Sequence, residues 1–228
     1  MKQGSLIKAG CLDYQAAWDL QKELFERRLA GDIEDTLLLT EHPHTYTLGK
    51  SGQEENLLAD EFALKRQGIE VFRIDRGGDI TYHGPGQIVG YPILDLHQHY
   101  LDVHRFLRDL EEVIIQTLSD YKIAASRVAG LTGVWADGAK VAAIGVKVTR
   151  WITMHGFAFN VNTDLSYFGN IVPCGITDKP VTSMGKLLGR KLDHQEVQEK
   201  VCQKFAEVFE IDLAVKRIKD LVPAREFV

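Results

Sequence analysis

The sequence predicts an α/β (α+β) fold, with one mixed or largely antiparallel sheet flanked by helices. Three observations carry this. Apolar stripes at helical spacing alternate with short β-rich runs along the chain. Asp137-Gly138 separates two β-rich runs, a strong hairpin signal. No repeat, linker or low-complexity tract interrupts the order. With 228 residues, 45% of them hydrophobic, the chain has material for a sizeable core. Residues 1–228 read most simply as a single domain, two small ones being the alternative at this length.

In order, Tyr14, Ala17, Trp18, Gln21, Leu24, Phe25 and Arg28 recur on one helical face, so a helix is expected over Asp13–Ala30, stopped by Gly31. Thr36–Thr40 reads as a short apolar strand and Thr45–Leu48 as another. Asn56 or Asp60 is positioned to cap a helix running to Arg66, with Gly68 ending it. Ile69–Ile74 alternates as a strand. Ile88–Leu96 is an apolar strand that Pro92 should move to a sheet edge or a bulge. Val103–Tyr121 carries an uninterrupted apolar stripe and reads as a packing helix without chemistry. Gly133–Arg150 is the Asp-Gly hairpin, and Phe157–Val161 a further strand. Asp164–Gly175 is irregular, Thr182–Leu188 begins a short helix, and His194–Phe209 is the last amphipathic helix.

Composition removes several functions. A net charge of -5 argues against a broad nucleic-acid-binding face. No apolar run approaches the roughly 20 residues of a membrane span. The first residues carry neither a signal-peptide core nor a transit pattern, so a cytoplasmic protein is expected. Cys11, Cys174 and Cys202 form neither a disulfide framework nor a zinc pattern. The His42/His44 and His97/His99 pairs lack partners at ligand spacing, so no metal site is expected.

The least ordinary stretch is Arg76–Tyr91, RGGDITYHGPGQIVGY. It reads as a strand held between glycine turns, with Arg76 and His83 at its ends; a tight β-turn region without function is the plainer alternative. Gly84, Gly86 and Gly90 give GxGxxxG, one residue too long for a dinucleotide fingerprint, and no helical pattern follows. GxxxxGK[ST] does not occur. Cys174 lies in VPCGI, an irregular segment where a thiol is open to function, though a lone cysteine is more often structural. Cys11 and Cys202 are expected to be packing thiols. Lys140, just past the Asp-Gly turn and before VAAIGV, is either an exposed strand-end lysine or a desolvated cation able to favour a thiolate or accept a proton.

RGGDITYHGPGQ, KVAAIG, HGFAFNVN and PCG, in this order, resemble the lipoyl(octanoyl) transferase family, octanoyl-carrier-protein:protein octanoyltransferases of lipoate biosynthesis. The likeness continues through GITDKPVTSM (175–184) and covers most of the chain. It implies the fold of the biotin/lipoate-protein ligase catalytic domain. It also implies Cys174 as the nucleophile that becomes a thioester, and Lys140 as the residue that lowers the thiol pKa and helps move protons. Arg76, Gly77, Gly78, Asp79, Ile80, Thr81, Tyr82 and His83 match one substrate-binding segment. Ala143, Ile144 and Gly145 match a second, and Gly156, Phe157 and Ala158 a third, with His155 beside them in a supporting polar role. The small side chains at 145, 156 and 158 would leave a slot among apolar walls such as Ile80, Ile144 and Phe157.

The resemblance further implies octanoyl-acyl carrier protein as donor. The acceptors would be lipoyl domains of 2-oxoacid dehydrogenase acyltransferase subunits and the glycine-cleavage H protein. A monomer with no cofactor is expected. The alternatives are an ATP-dependent lipoate- or biotin-protein ligase of the same fold, and a non-catalytic module that binds lipoyl domains.

Overall fold

The computed structural model describes residues 1–172 and 180–222; Cys174 lies outside the described residues. In chain order the elements begin with β1 (Lys2–Cys11), α1 (Tyr14–Ala30), β2 (Asp35–Glu41), β3 (Thr45–Leu48), α2 (Glu61–Arg66), β4 (Glu70–Arg73) and β5 (Ile80–His83). There follow β6 (Gln87–Ile93), α3 (Val103–Asp120), β7 (Ala125–Ser126), β8 (Val134–Ala136), β9 (Ala139–Thr149) and β10 (Ile152–Asn160). The described chain closes with α4 (Met184–Leu188), α5 (His194–Phe209), β11 (Ile211–Val215) and α6 (Ile218–Leu221).

Eight strands form one mixed sheet in the order β11-β1-β2-β6-β10-β9-β8-β7, and β4-β3-β5 form a second, smaller one. The β11-β1 and β1-β2 pairs are parallel, the rest of the large sheet antiparallel. Helices cover both faces. Leu37 and Leu39 pack with Phe106, Leu110 and Phe205 of α3 and α5, while Leu38 packs with Ala17, Leu20 and Leu24 of α1. That two-sided cover is why β2 reads DTLLLTE rather than as an alternation. In the small sheet, Tyr46, Leu48, Ile80 and Tyr82 gather with Leu64, Phe168 and Ile171 into a third cluster.

Local chemistry sets the boundaries. Gly31 ends α1 in the left-handed conformation, with Arg27 and Arg28 in the last turn facing the negative end of the helix. Asp60 and Asp102 cap α2 and α3 by accepting from the N–H groups of Ala63 and Arg105. Asp137 and Gly138 both take positive φ (49° and 73°), the geometry of a two-residue hairpin.

Four expectations change. β1 and β11 were not foreseen, and Cys11, at the end of β1, is exposed rather than packed. β10 starts at Ile152, because Arg150 and Trp151 make a second tight turn with φ of 51° and 64°, without the glycine that usually announces one. Pro92 stands opposite Leu37 in a central strand. It is tolerated because β6 pairs with β10 only over Gln87–Gly90. Beyond it, His155 swings to φ 60° and its N–H donates to Gln21 Oε1 at 3.0 Å. Lastly, α3 does carry a charge into the core. Glu111 is fully buried, accepting from Arg108 (2.7 Å), Arg127 (3.0 Å) and the Gly133 N–H (3.0 Å).

Candidate active site

A cleft with about 450 Å³ of non-atom space, part of it open solvent, lies between the two sheets. Val89 and Tyr91 of β6, Ala143, Ile144 and Gly145 of β9, and His155, Gly156, Phe157 and Ala158 of β10 form one side. Thr81 and His83 of β5, with Arg76 and Gly78 just before it, form the other, and Tyr14 of α1 closes it. The two glycines are small for the sake of the backbone rather than the cavity. A methyl group on Gly145 would stand 2.7 Å from the Gly77 carbonyl oxygen, and one on Gly156 2.1 Å from that of Gly90. Their side-chain space is taken by neighbouring main chain, so the slot itself is bounded by Ala143, Ile144, Phe157 and Ala158.

Strand periodicity sorts the Arg76–His83 segment. Thr81 and His83 face the cavity, whereas Ile80 and Tyr82 point the other way into the small-sheet cluster. Tyr82 bonds His44 Nδ1 at 2.7 Å. The Asp79 carboxylate accepts from the Gln53 and Ile80 N–H groups and from Asn56, fixing the turn before β5. Gly77 donates to Val146 O at 2.9 Å, which lays the loop against β9. These four hold the wall in place without lining it. Tyr14, Val89 and Tyr91 line it without having been foreseen. The alternation of Val89 and Tyr91 on β6 was a usable signal, while nothing local marks Tyr14.

Behind the wall runs a chain of polar groups, each with a defined partner. Arg76 is 8% exposed and donates to Thr47 Oγ1 (3.0 Å) and Thr47 O (2.7 Å). The Thr47 hydroxyl donates to His83 Nε2 at 3.3 Å, and His83 Nδ1–H donates to Gln87 Oε1 at 3.0 Å. Gln87 Nε2 donates to Asn160 Oδ1 (3.0 Å), and Asn160 Nδ2 to Thr182 O (3.1 Å). The direction is set at Gln87: its Nε2 also donates to the Tyr82 carbonyl, so its Oε1 accepts from His83 Nδ1–H, and in a neutral His83 the Nε2 is then the acceptor for Thr47.

His83 is held neutral. Burial pushes its pKa well below the usual value, and the neighbouring His42 and Arg76 add to this. Burial likewise lowers His42 to about 4, where it sits between Leu12 O and the Tyr91 hydroxyl, both at 2.7 Å. His155 is also lowered, chiefly by burial, although its Nε2–H donates to Asp75 Oδ1 at 2.8 Å. The Asp75 carboxylate is kept ionised by that bond and by Lys147 at 2.6 Å. All three imidazoles are therefore uncharged at neutral pH.

A stability prediction follows with its sign. A histidine whose folded pKa lies below its unfolded 6.5 takes up a proton on unfolding, so stability is full above about pH 6.5 and falls as pH drops towards the folded value. Each such group contributes about 1.4 kcal/mol per pH unit inside that window. Urea midpoints measured at pH 7.5, 6.0 and 5.0 should decline steadily. A flat profile would mean that these histidines are accessible to protons in the folded state.

Lys140 lies next door, 7% exposed, lining a smaller space of about 280 Å³ with Gln87, Asn160, Phe168 and Val181. The two spaces share Thr81, Ala143 and Ala158 and so adjoin. The Lys140 N–H donates to Pro180 O (2.8 Å) and its carbonyl accepts from the Thr182 N–H (2.9 Å), a parallel bridge to Val181. It is not an exposed strand-end lysine. Of the described cysteines, burial raises Cys202 to about 11, and burial with Glu41 and Asp13 raises exposed Cys11, so neither is poised as a thiolate. Among the described residues no three His, Cys, Asp or Glu side chains are grouped to hold a metal ion.

Residues 13–206 match the lipoyl protein ligase A/B catalytic domain. The chain is 52% identical to an octanoyltransferase of Solibacter usitatus, covering 93% of this chain and 96% of that protein. It is 49% identical to one of Christiangramia forsetii, covering 93% and 98% respectively. The chain belongs to the octanoyltransferase family. The fold agrees with a wider group of lipoate- and biotin-attaching proteins. A bipartite lipoate protein ligase from Thermoplasma acidophilum superposes with a TM-score of 0.76 at 17% identity, covering 98% of this chain and 91% of that one. Lipoate-protein ligase A bound with ATP gives 0.74 at 15% identity, covering 97% and 92%. Biotin protein ligase from Aquifex aeolicus gives 0.52 at 14%, covering 92% and 70%. At such identities the likeness extends to the fold alone, whereas octanoyltransferase membership rests on near-half identity along nearly the whole chain.

Proposed function

We propose that this chain, as one catalytic domain, transfers an octanoyl group from octanoyl-acyl carrier protein to a lysine of a lipoyl domain through a thioester on Cys174. In the first step the Cys174 thiolate attacks the thioester carbonyl and the carrier's thiolate leaves. In the second the neutral acceptor amine attacks the Cys174 thioester, the C–S bond breaks as the amide forms, and the nitrogen's proton passes to the departing sulfur or to water. Neither step consumes a phosphoanhydride, since thioester exchange is nearly neutral and thioester-to-amide transfer runs downhill. Lys140 supplies the positive charge that favours thiolate over thiol. The acyl chain occupies the apolar space walled by Ala143, Ile144, Phe157 and Ala158, against Thr81 and His83. The acceptors are lipoyl domains of 2-oxoacid dehydrogenase acyltransferase subunits and the glycine-cleavage H protein, and the enzyme works as a cytoplasmic monomer. Among the described residues, no helix is long and apolar enough to cross a membrane.

One observation supports this reading most. Lys140, buried in the wall of the smaller of two adjoining spaces, is bonded through its backbone to Pro180, six residues along the chain from Cys174. The test is incubation with octanoyl-acyl carrier protein in the absence of ATP, followed by intact-mass measurement. An octanoyl adduct located on Cys174 is expected, passing to a lipoyl domain when that is added. Cys174→Ser should form no long-lived adduct and no product. An adduct that persists in that variant would move the nucleophile elsewhere, and a requirement for ATP would favour the ligase reading.

A further inference from the structure

The hairpin before the candidate lysine contains a device that neither the sequence nor the family likeness assigns. The Asp137-Gly138 turn pairs Trp135 directly with Lys140, so the two side chains share one face of the sheet. The Lys140 ammonium lies 5.0 Å from the centroid of the Trp135 ring, inside the roughly 6 Å range of a cation–π contact. Both residues are buried, which strengthens that attraction. The stem of the lysine is gripped as well. Gly133 holds φ 135°, and a methyl there would stand 3.0 Å from Lys140 Cε and 2.7 Å from Ala142 O. Gly133 is in turn fixed by its N–H bond to the buried Glu111 carboxylate.

The indole carries a cost that points the same way. Trp135 Nε1 is buried with no hydrogen-bond partner among the described residues. Phenylalanine would remove the orphaned donor, though it would leave the space of the second ring unfilled. What the indole adds is the strongest aromatic face for a cation.

We propose that Trp135 is a positioning residue that holds the Lys140 ammonium beside the smaller of the two spaces, with Gly133 leaving room for the lysine stem. This rests on the functional role given to Lys140 above. The experiment is single-turnover acylation by octanoyl-acyl carrier protein, followed by steady-state transfer to a lipoyl domain. Trp135→Leu and Trp135→Phe are compared with the unaltered protein, each alone and combined with Lys140→Ala.

Trp135→Leu should lower kcat by about tenfold with the KM for the lipoyl domain unchanged, and Trp135→Phe should recover part of the loss. In the Lys140→Ala background neither change should cost anything further. Wild-type rates in Trp135→Leu would overturn the proposal, as would an equal loss with Lys140 already gone, since that marks a structural role. If Trp135→Leu does not fold, Trp135→Phe decides, because it keeps an aromatic ring beside the ammonium and removes less volume from the core, and a wild-type rate in it would overturn the proposal. A Lys140→Ala protein that transfers at the wild-type rate would instead remove the role of Lys140 itself, and is read independently of the Trp135 result.

Discussion

Replacing Lys140 by alanine is expected to slow octanoyl transfer by about a hundredfold to ten-thousandfold, the span of effects seen when a positioned proton-transfer or charge-stabilising group is lost. The fold should survive, because the lysine backbone makes the bonds to Pro180 and Thr182 whatever the side chain. Acylation and transfer should be measured as separate steps. Lys140→Arg keeps a charge that cannot be given up, so it separates electrostatics from proton transfer. Recovery of acylation by arginine would make the positive charge the main contribution. Acylation without onward transfer would make Lys140 the base for the incoming amine. Wild-type kinetics in the alanine variant would end the assignment.

The second large effect is on stability. Glu111→Ala is expected to cost about 1–3 kcal/mol, since it leaves the buried Gly133 N–H without an acceptor, while Arg108 and Arg127, both partly exposed, turn to water and to Glu112. Urea denaturation followed by fluorescence measures it. Glu111→Gln should cost less, because an amide oxygen still accepts from Gly133, although the NH2 that replaces Oε2 no longer accepts from Arg108 and Arg127. A shift below about 1 kcal/mol in the alanine variant would mean that water also satisfies the Gly133 N–H and that the carboxylate is not a keystone of this corner. The same variant should lower activity more than its stability loss alone requires, since Gly133 abuts the lysine stem.

Much of this could be read from the chain because the relevant signals are local. Periodicity located α1, α3 and α5 to within a residue or so, and Asp-Gly fixed the hairpin that carries Trp135 and Lys140. The second hairpin escaped because Arg150-Trp151 adopts the left-handed conformation without glycine. β1 and β11 escaped because KQGSLIKAGC and IDLAV are only partly buried and owe their pairing to distant partners. Pro92 misled in the opposite sense, since a proline in a central strand is admissible once the neighbouring strand turns away at His155. At the site, four motifs named most of the cavity, but not which residues face it. That distinction depends on strand pleat, which turns Ile80 and Tyr82 away. Tyr14 enters from a helix that shares no motif with the sheets.

The pairing of β1 with β11 also bears on how the molecule comes into being. Gln3 and Asp212 hydrogen-bond across 209 residues of sequence, whereas β2 follows soon after β1 and takes its other edge. Contacts so remote close only after much chain entropy has been surrendered, which slows folding. During synthesis β1 therefore emerges long before its outer neighbour and presents an unpaired strand edge, open to mispairing, until the final helix and strand arrive.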